Sequence, residues 1–284
     1  MTETEIETIS DGVEAKRPNV EYGDLNLAHE NEILHTVVGS GVHGIAIEGT
    51  DDRDEMSVFI EGMTHVIGVD EPMDIVTYRT QPEGARSGPG DVDLSMYALR
   101  KYLKLAAVGN PTALLPLWCP PESVIHMNAT GADLRALRES FMSKQSVHRF
   151  LGYMYAQHER MMGRGKRNRV PVRTELVDRY GWDVKYGAHA LRLAYQGYEI
   201  CLVGRLTLPL PETPREHVLA VKRGEVSQQA VSREILSLTQ TTRTILENGT
   251  PLPDEPDWKR IGEFSIEAHL DHWKLSDATK ESTA

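Results

Sequence analysis

The sequence predicts an α+β protein in two parts, a mixed α/β front half followed by a mainly helical back half. Three observations carry that prediction. Short apolar runs bounded by turn formers mark strands near the front of the chain. After about residue 130, apolar residues instead recur at three- and four-residue steps, the period of helices with one buried face. Hydrophobic residues make up 40% of the 284, enough for a sizeable core, and no apolar run approaches the ~18 residues that span a bilayer.

Residues 1–24 read as a disordered acidic tail, without the basic and apolar regions of a signal peptide, which predicts a cytoplasmic protein with no membrane partner. Residues 25–130 form the expected α/β front domain. Within it, residues 34–38 (LHTVV) and 56–60 (MSVFI) read as buried strands, with a short helix between them opening at Gly39-Ser40. Residues 79–90 (RTQPEGARSGPG) are a loop on turn chemistry alone, 91–94 a third strand, and 96–108 a helix that Gly109-Asn110-Pro111 ends. Helices are expected over 133–143, 147–162, 188–203 and 227–247, within a mainly helical region from 131 to 275. Residues 276–284 are a small polar tail. Cys119 and Cys201 are too few for a disulfide framework and sit among apolar residues, so both read as reduced core residues.

The acidic residues of DDRDE fall immediately before an apolar strand. In extended chain, residues two apart project from one face, so Asp52 and Asp54 point together while Asp51 and Glu55 fall out of phase. Two parallel carboxylates suit Mg²⁺ or Mn²⁺, hard cations held by one or two carboxylates plus substrate phosphates. Asp93, opening the later strand, is a third ligand if the two strands are neighbours, with Asp91 in phase behind it. Spacing alone also fits a solvated acidic turn. Gly39, Ser40, Gly41 and Gly44 surround the start of the short helix, where backbone N–H groups and a hydroxyl can meet a phosphate, and His43 stands among them.

Lys185, His189 and Arg192 stand at i, i+4 and i+7, which sets three nitrogen donors on one helical face for a polyphosphate, or equally an ordinary solvated face. Residues 160–173 gather Arg160, Arg164, Lys166, Arg167, Arg169 and Arg173 in a chain whose net charge is −11. That balance argues against a nonspecific grip on nucleic acid and leaves only a local one. Arg79 and Arg86 lie in the loop before Asp93, and Tyr97 and Tyr102 read as core aromatics. There is no G-x-S-x-G, no Walker P-loop and no H-E-x-x-H.

GSGVHG followed by DDRDEMSVF resembles the polymerase-β-like nucleotidyltransferase superfamily: a Gly-Ser, a further glycine, then two aspartates separated by one residue. RTQPEGARSGPGDVDLSMYALRKYLKLAAVGNP and GWDVKYGAHALRLAYQGYEICLVGRLTLP are similar to its bacterial and phage "predicted nucleotidyltransferase" branch, so the resemblance spans about residues 33–275. It implies a nucleotidyltransferase-type mixed sheet, with Gly39 and Ser40 on the triphosphate, Asp52 and Asp54 as the two-aspartate motif and Asp93 as the third carboxylate. The residue before Asp52 is usually serine in that pattern and is Asp51 here. The implied chemistry is attack of an acceptor hydroxyl on the α-phosphate of a nucleoside triphosphate, with pyrophosphate leaving, two metal ions assisting and Asp93 nearest the acceptor. The acceptor stays open among RNA, protein and a small molecule. A nucleotide-binding regulatory module without turnover and a metal-dependent phosphoester hydrolase are the other readings of the same site.

Overall fold

The computed structural model describes residues 19–47, 49, 51–82, 85, 87–164 and 173–282, with side chains from 23 to 274. In chain order the elements are β1 (Asn19–Tyr22), α1 (Leu25–Glu30), β2 (Glu32–Val37), α2 (Gly39–Val42), β3 (Arg53–Phe59), α3 (Met63–Val66), β4 (Ile75–Arg79) and β5 (Val92–Ala98). They continue as α4 (Leu99–Ala107), α5 (Leu115–Trp118), β6 (Val124–Met127), α6 (Ala129–Ala136), α7 (Lys144–Met161), α8 (Thr174–Tyr180), α9 (Val184–Val203), α10 (Glu212–Lys222), α11 (Gln228–Asn248) and α12 (Trp258–Ser282). Short 3₁₀ turns occupy Pro121–Ser123 and Arg138–Phe141.

The six strands form one mixed sheet in the order β1-β4-β5-β3-β2-β6. Neighbours are antiparallel except β3 and β5, the parallel pair at the centre. That pairing sets Asp54 directly opposite Asp93 and leaves both at the start of their strands. Because side chains alternate faces, Met56 and Val58 follow Asp54 onto one side of the sheet, while Phe59 takes the other. The first side carries the large core, which runs from Ile33, Leu34, Met56 and Val58 through Tyr102 and Phe150 to Leu191, Val218 and Ile261. The second side is smaller: Ala28 of α1 covers Phe59, Val76, Leu94 and Met96. α9 is the central helix, packed on by α7, α10 and α11, and its Ala188, Ala190, Leu191, Leu193 and Ala194 are buried.

The architecture is the expected α+β, with differences at particular elements. Residues 96–98 prolong β5, and the helix begins only at Leu99. Met96 and Ala98 alternate with Tyr97 and fill the smaller core, so two-residue alternation holds there until the helical period takes over at Leu99. The helix expected over 133–143 is α6 followed by the 3₁₀ turn. β1 lies inside the segment expected as a tail, and the backbone of α12 continues through Ser282, past the polar residues from 276. Both cysteines are free and buried. Among the described residues no helix is long and apolar enough to cross a membrane.

Candidate active site

Asp52, Asp54 and Asp93 each offer a carboxylate oxygen such that all three atoms lie within 4.8 Å of one another. The backbone tightens the group from one side: Val38 N–H donates to the Asp54 carbonyl at 2.9 Å, and Gly39 follows with φ +65. A Cβ at Gly39 would stand 2.0 Å from Asp54 Oδ2, so only glycine fits between α2 and the carboxylate. From the loop side, Gln81 Nε2 donates to Asp93 Oδ1 at 2.8 Å and Ser87 Oγ to Asp93 Oδ2 at 2.6 Å, with Arg79 Nε 3.5 Å from Oδ1. Asp91 is buried, and its oxygens accept from Thr80 Oγ1 and the Gly88 N–H, so it shapes the loop behind Asp93.

Burial raises the Asp54 carboxyl, and the negative charges of Asp52, Asp93 and Asp51 raise it further, to about 6. Like charges crowded around a partly shielded carboxyl favour its protonated form unless a cation intervenes. The donor set is all oxygen and all anionic. It fits a hard divalent ion, and no soft or imidazole ligand stands in the group.

Across from the carboxylates lies a cavity of about 450 Å³, lined by Gly39, Ser40, His43, Asp52 and Asp54 on the sheet side and by Lys185, His189 and Arg192 from α9. The fold thus brings together the glycine-serine turn, the carboxylates and the helical face that the sequence singled out. α9 is set by Asp183, whose buried side chain caps it by accepting from the Lys185 and Tyr186 N–H groups and is gripped by Arg173 at 3.1 Å.

The three donors of α9 differ in charge. Burial pulls the Arg192 guanidinium down to about 10, still protonated at neutral pH. Its Nη1 donates to His43 Nε2 at 2.8 Å and to Gln196 Oε1 at 2.7 Å; among the described residues no carboxylate pairs with it. A shielded cation with only neutral partners is a standing demand for an anion. Burial, then the charges of Arg192, Arg160 and Arg173, hold His189 at about 3, so it meets a ligand as a neutral imidazole rather than a cation. Lys185 is half exposed, 3.8 Å from Asp51. His43 is buried beneath Arg192 and held well below the usual imidazole range by burial and by the Arg192 and His189 charges. It lines the cavity as a neutral support for the guanidinium.

One cation of the cavity wall escaped the sequence reading. Lys222, at the end of α10, donates to Asp51 Oδ2 and to the Ile45 carbonyl, both at 2.7 Å. Burial works to raise Asp51; the hydrogen bonds from Lys222 and the Ile47 N–H outweigh it and lower the carboxyl. The acid in place of the usual serine is therefore matched by a buried lysine, and that unexplained Asp51 was the one available signal. Arg173 reaches the cavity from the basic segment, its guanidinium 5.0 Å from the Tyr186 ring, with Arg160 at 5.9 Å. Arg164 pairs with Glu159, while Lys166, Arg167, Arg169 and Arg86 lie outside the described residues. Tyr102 is buried as expected, but Tyr97 is half-buried and lines the cavity, because β5 extends to it.

A family model described as "RNA repair pathway DNA polymerase beta family" matches residues 18–269. No curated protein matches the chain. Among solved structures, a nucleotidyltransferase-like protein from Exiguobacterium sibiricum is similar at 13% identity over 79% of this chain and 73% of that one, with a TM-score of 0.31. At that score the likeness carries no argument. The family match takes in the glycine turn, all three aspartates and the cationic helix, and on that span the chain belongs to the RNA repair pathway branch of the polymerase-β-like nucleotidyltransferases.

Proposed function

We propose that this chain is a metal-dependent nucleotidyltransferase that moves a nucleoside monophosphate from a nucleoside triphosphate to an acceptor hydroxyl, releasing pyrophosphate. One observation carries the reading: a cluster of three mutually repelling carboxylates, of which Asp52 and Asp54 line the cavity, faces across it a shielded arginine whose partners among the described residues are all neutral. The first group calls for a divalent cation and the second for an anion, and a metal-bound triphosphate answers both. The ion, Mg²⁺ or Mn²⁺, would be held by Asp52, Asp54 and Asp93, where it supplies Lewis-acid polarisation of the phosphates.

The chain's own residues do the rest. The Gly39 and Ser40 turn approaches the triphosphate closely, since no side chain intervenes there. Arg192 offers a planar fork and Lys185 a point charge to the leaving pyrophosphate, and His189 adds a neutral hydrogen bond. The acceptor oxygen forms its bond to the α-phosphorus as the bond to the β-phosphate oxygen breaks, and the acceptor's proton passes to Asp93. Lys222 and Asp51 brace the wall between α10 and β3.

The test is transfer of label from α-³²P nucleoside triphosphates, with Mg²⁺ or Mn²⁺, to acceptors drawn from RNA, protein and small molecules. Label transferred by the wild type and lost in the Asp52→Ala/Asp54→Ala double variant is the expected result. Release of labelled monophosphate to water alone makes it a hydrolase; nucleotide binding without any product makes it a regulatory module.

A further inference from the structure

A second groove of about 560 Å³ lies between the C-terminal end of α4 and the outer face of α7, lined by Val108, His148, Arg149, Gly152, Tyr153 and Ala156 among others. It adjoins the site. Asn110 Nδ2 donates to Tyr153 Oη at 3.3 Å, and the next two residues of its loop, Pro111 and Thr112, line the catalytic cavity.

The charge here runs against the rest of the molecule. Asp and Glu number 42 in a chain of net charge −11, yet none falls between residues 94 and 121 or between 140 and 158, the segments that build both walls. Those segments carry Arg100, Lys101, Lys104, Lys144, His148 and Arg149. Lys101 and Lys144 pair with Asp74 and Asp254 from outside the groove. Among the described residues no carboxylate or hydrogen bond engages the side chains of Lys104, one helical turn before Val108, or of His148 and Arg149 on α7.

The groove floor has a shape to match. Gly152 sits in the interior of an 18-residue helix, where glycine weakens the helix, yet a Cβ there would meet nothing within 4 Å. Packing does not ask for glycine at this position. With Ala156 it leaves a shallow floor beside the Tyr153 ring, which is 40% exposed. Free cations along a groove, an exposed aromatic ring and a floor without side chains are what a single-stranded polynucleotide requires: charge for its phosphates and a surface on which a base can stack.

We propose that the α4–α7 groove holds the strand of a single-stranded nucleic-acid acceptor, Lys104 and Arg149 contacting its phosphates and Tyr153 stacking a base, with its terminal hydroxyl delivered past Thr112 to Asp93. This rests on reading the cavity as a nucleotidyltransferase centre. A protein acceptor would find in this groove neither a carboxylate partner for its cations nor a deep apolar pocket.

The test is fluorescence anisotropy of the full chain with a short labelled single strand, as RNA and as DNA, at low and physiological salt, with metal–triphosphate binding measured in parallel. Lys104→Glu/Arg149→Glu is expected to weaken strand binding at least about tenfold and to flatten the salt dependence by about 1.4, ~0.7 for each phosphate no longer neutralised. Tyr153→Ala is expected to weaken binding with the salt slope unchanged. Triphosphate binding and thermal stability stay at wild-type values in both variants. Tighter binding of RNA than DNA, or the reverse, names the sugar; either supports the groove. Absence of strand binding at low salt, or variants that bind as the wild type does, overturns it. Strand capture with no transfer by the wild type would sink the transferase reading and leave the groove standing; transfer unaffected by the groove variants would do the reverse.

Discussion

Asp51 and Lys222 are 171 residues apart in sequence and share a 2.7 Å hydrogen bond in a wall of the cavity where both are nearly out of solvent. Removing one partner of such a pair strands the other. Lys222→Met is expected to cost about 3 kcal/mol or more in thermal or denaturant unfolding, and Asp51→Ser in the same chain to restore much of it, a coupling that a double-mutant cycle measures. Asp54 gives a second residue-scale expectation. Its folded pKa of about 6 lies above the ordinary 3.8, so the folded protein holds an extra proton between those values. Metal-free stability therefore falls as pH rises from about 4 to 6, by up to about 3 kcal/mol, and Asp54→Asn removes that slope. His35 shifts in the same direction but acts in an alkaline window. Burial works to lower it, but hydrogen bonds from its ring to Glu32 and Glu55 prevail and raise it to about 9. The stability this contributes is complete below about 6.5 and is lost as pH rises through 9, about 2 kcal/mol after allowance for solvent screening. A stability profile of His35→Phe that keeps this alkaline limb would contradict it. Asp52 and Asp54 were legible because period two is local. Lys222 was not, because a partner so distant in sequence leaves no periodic trace.

At the scale of elements, the site is a junction of four: α2, β3, β5 and α9. The β3 and β5 strands were each readable in part, β3 from the apolar run 56–60 and β5 as a short strand over 91–94, but their parallel pairing, which sets Asp54 opposite Asp93, depends on β4 being placed on the outer side of β5. Nothing in the residues of β4 states that. β6 is short, and Ile125 and Met127 are exposed, so it lacks the buried run that marks a strand in sequence. α9 was readable from residue 188, and its true start at Val184 strengthens the reading, since it puts Lys185 on the same helix as His189 and Arg192. The contact between α2 and β3 gives the element-scale prediction. Gly39→Ala forces a Cβ onto Asp54 from a left-handed backbone, and is expected to cost about 1–2 kcal/mol of stability. Divalent-ion affinity should drop with it, whereas Gly49→Ala, which meets nothing within 4 Å, should leave ion affinity unchanged.

At the scale of the molecule, one large core ties the sheet to the helices behind it, and α9 runs from that core to the carboxylates. A net charge of −11 predicts weak nonspecific attraction to polyanions, so cationic function must be local, as at the cavity wall and the α4–α7 groove. The sequence separates the first by helical spacing; the second emerges only when two acid-free segments, distant along the chain, fold side by side. The central claim is that Asp52, Asp54 and Asp93 form one metal site completed by a triphosphate that Arg192 receives. Mn²⁺ titration followed by electron paramagnetic resonance, with and without a non-hydrolysable nucleoside triphosphate, tests it most directly. The wild-type site is expected to tighten with triphosphate, to be lost in Asp54→Asn and to be no longer tightened by triphosphate in Arg192→Met. Mn²⁺ binding that persists unchanged in Asp52→Ala/Asp54→Ala would contradict it.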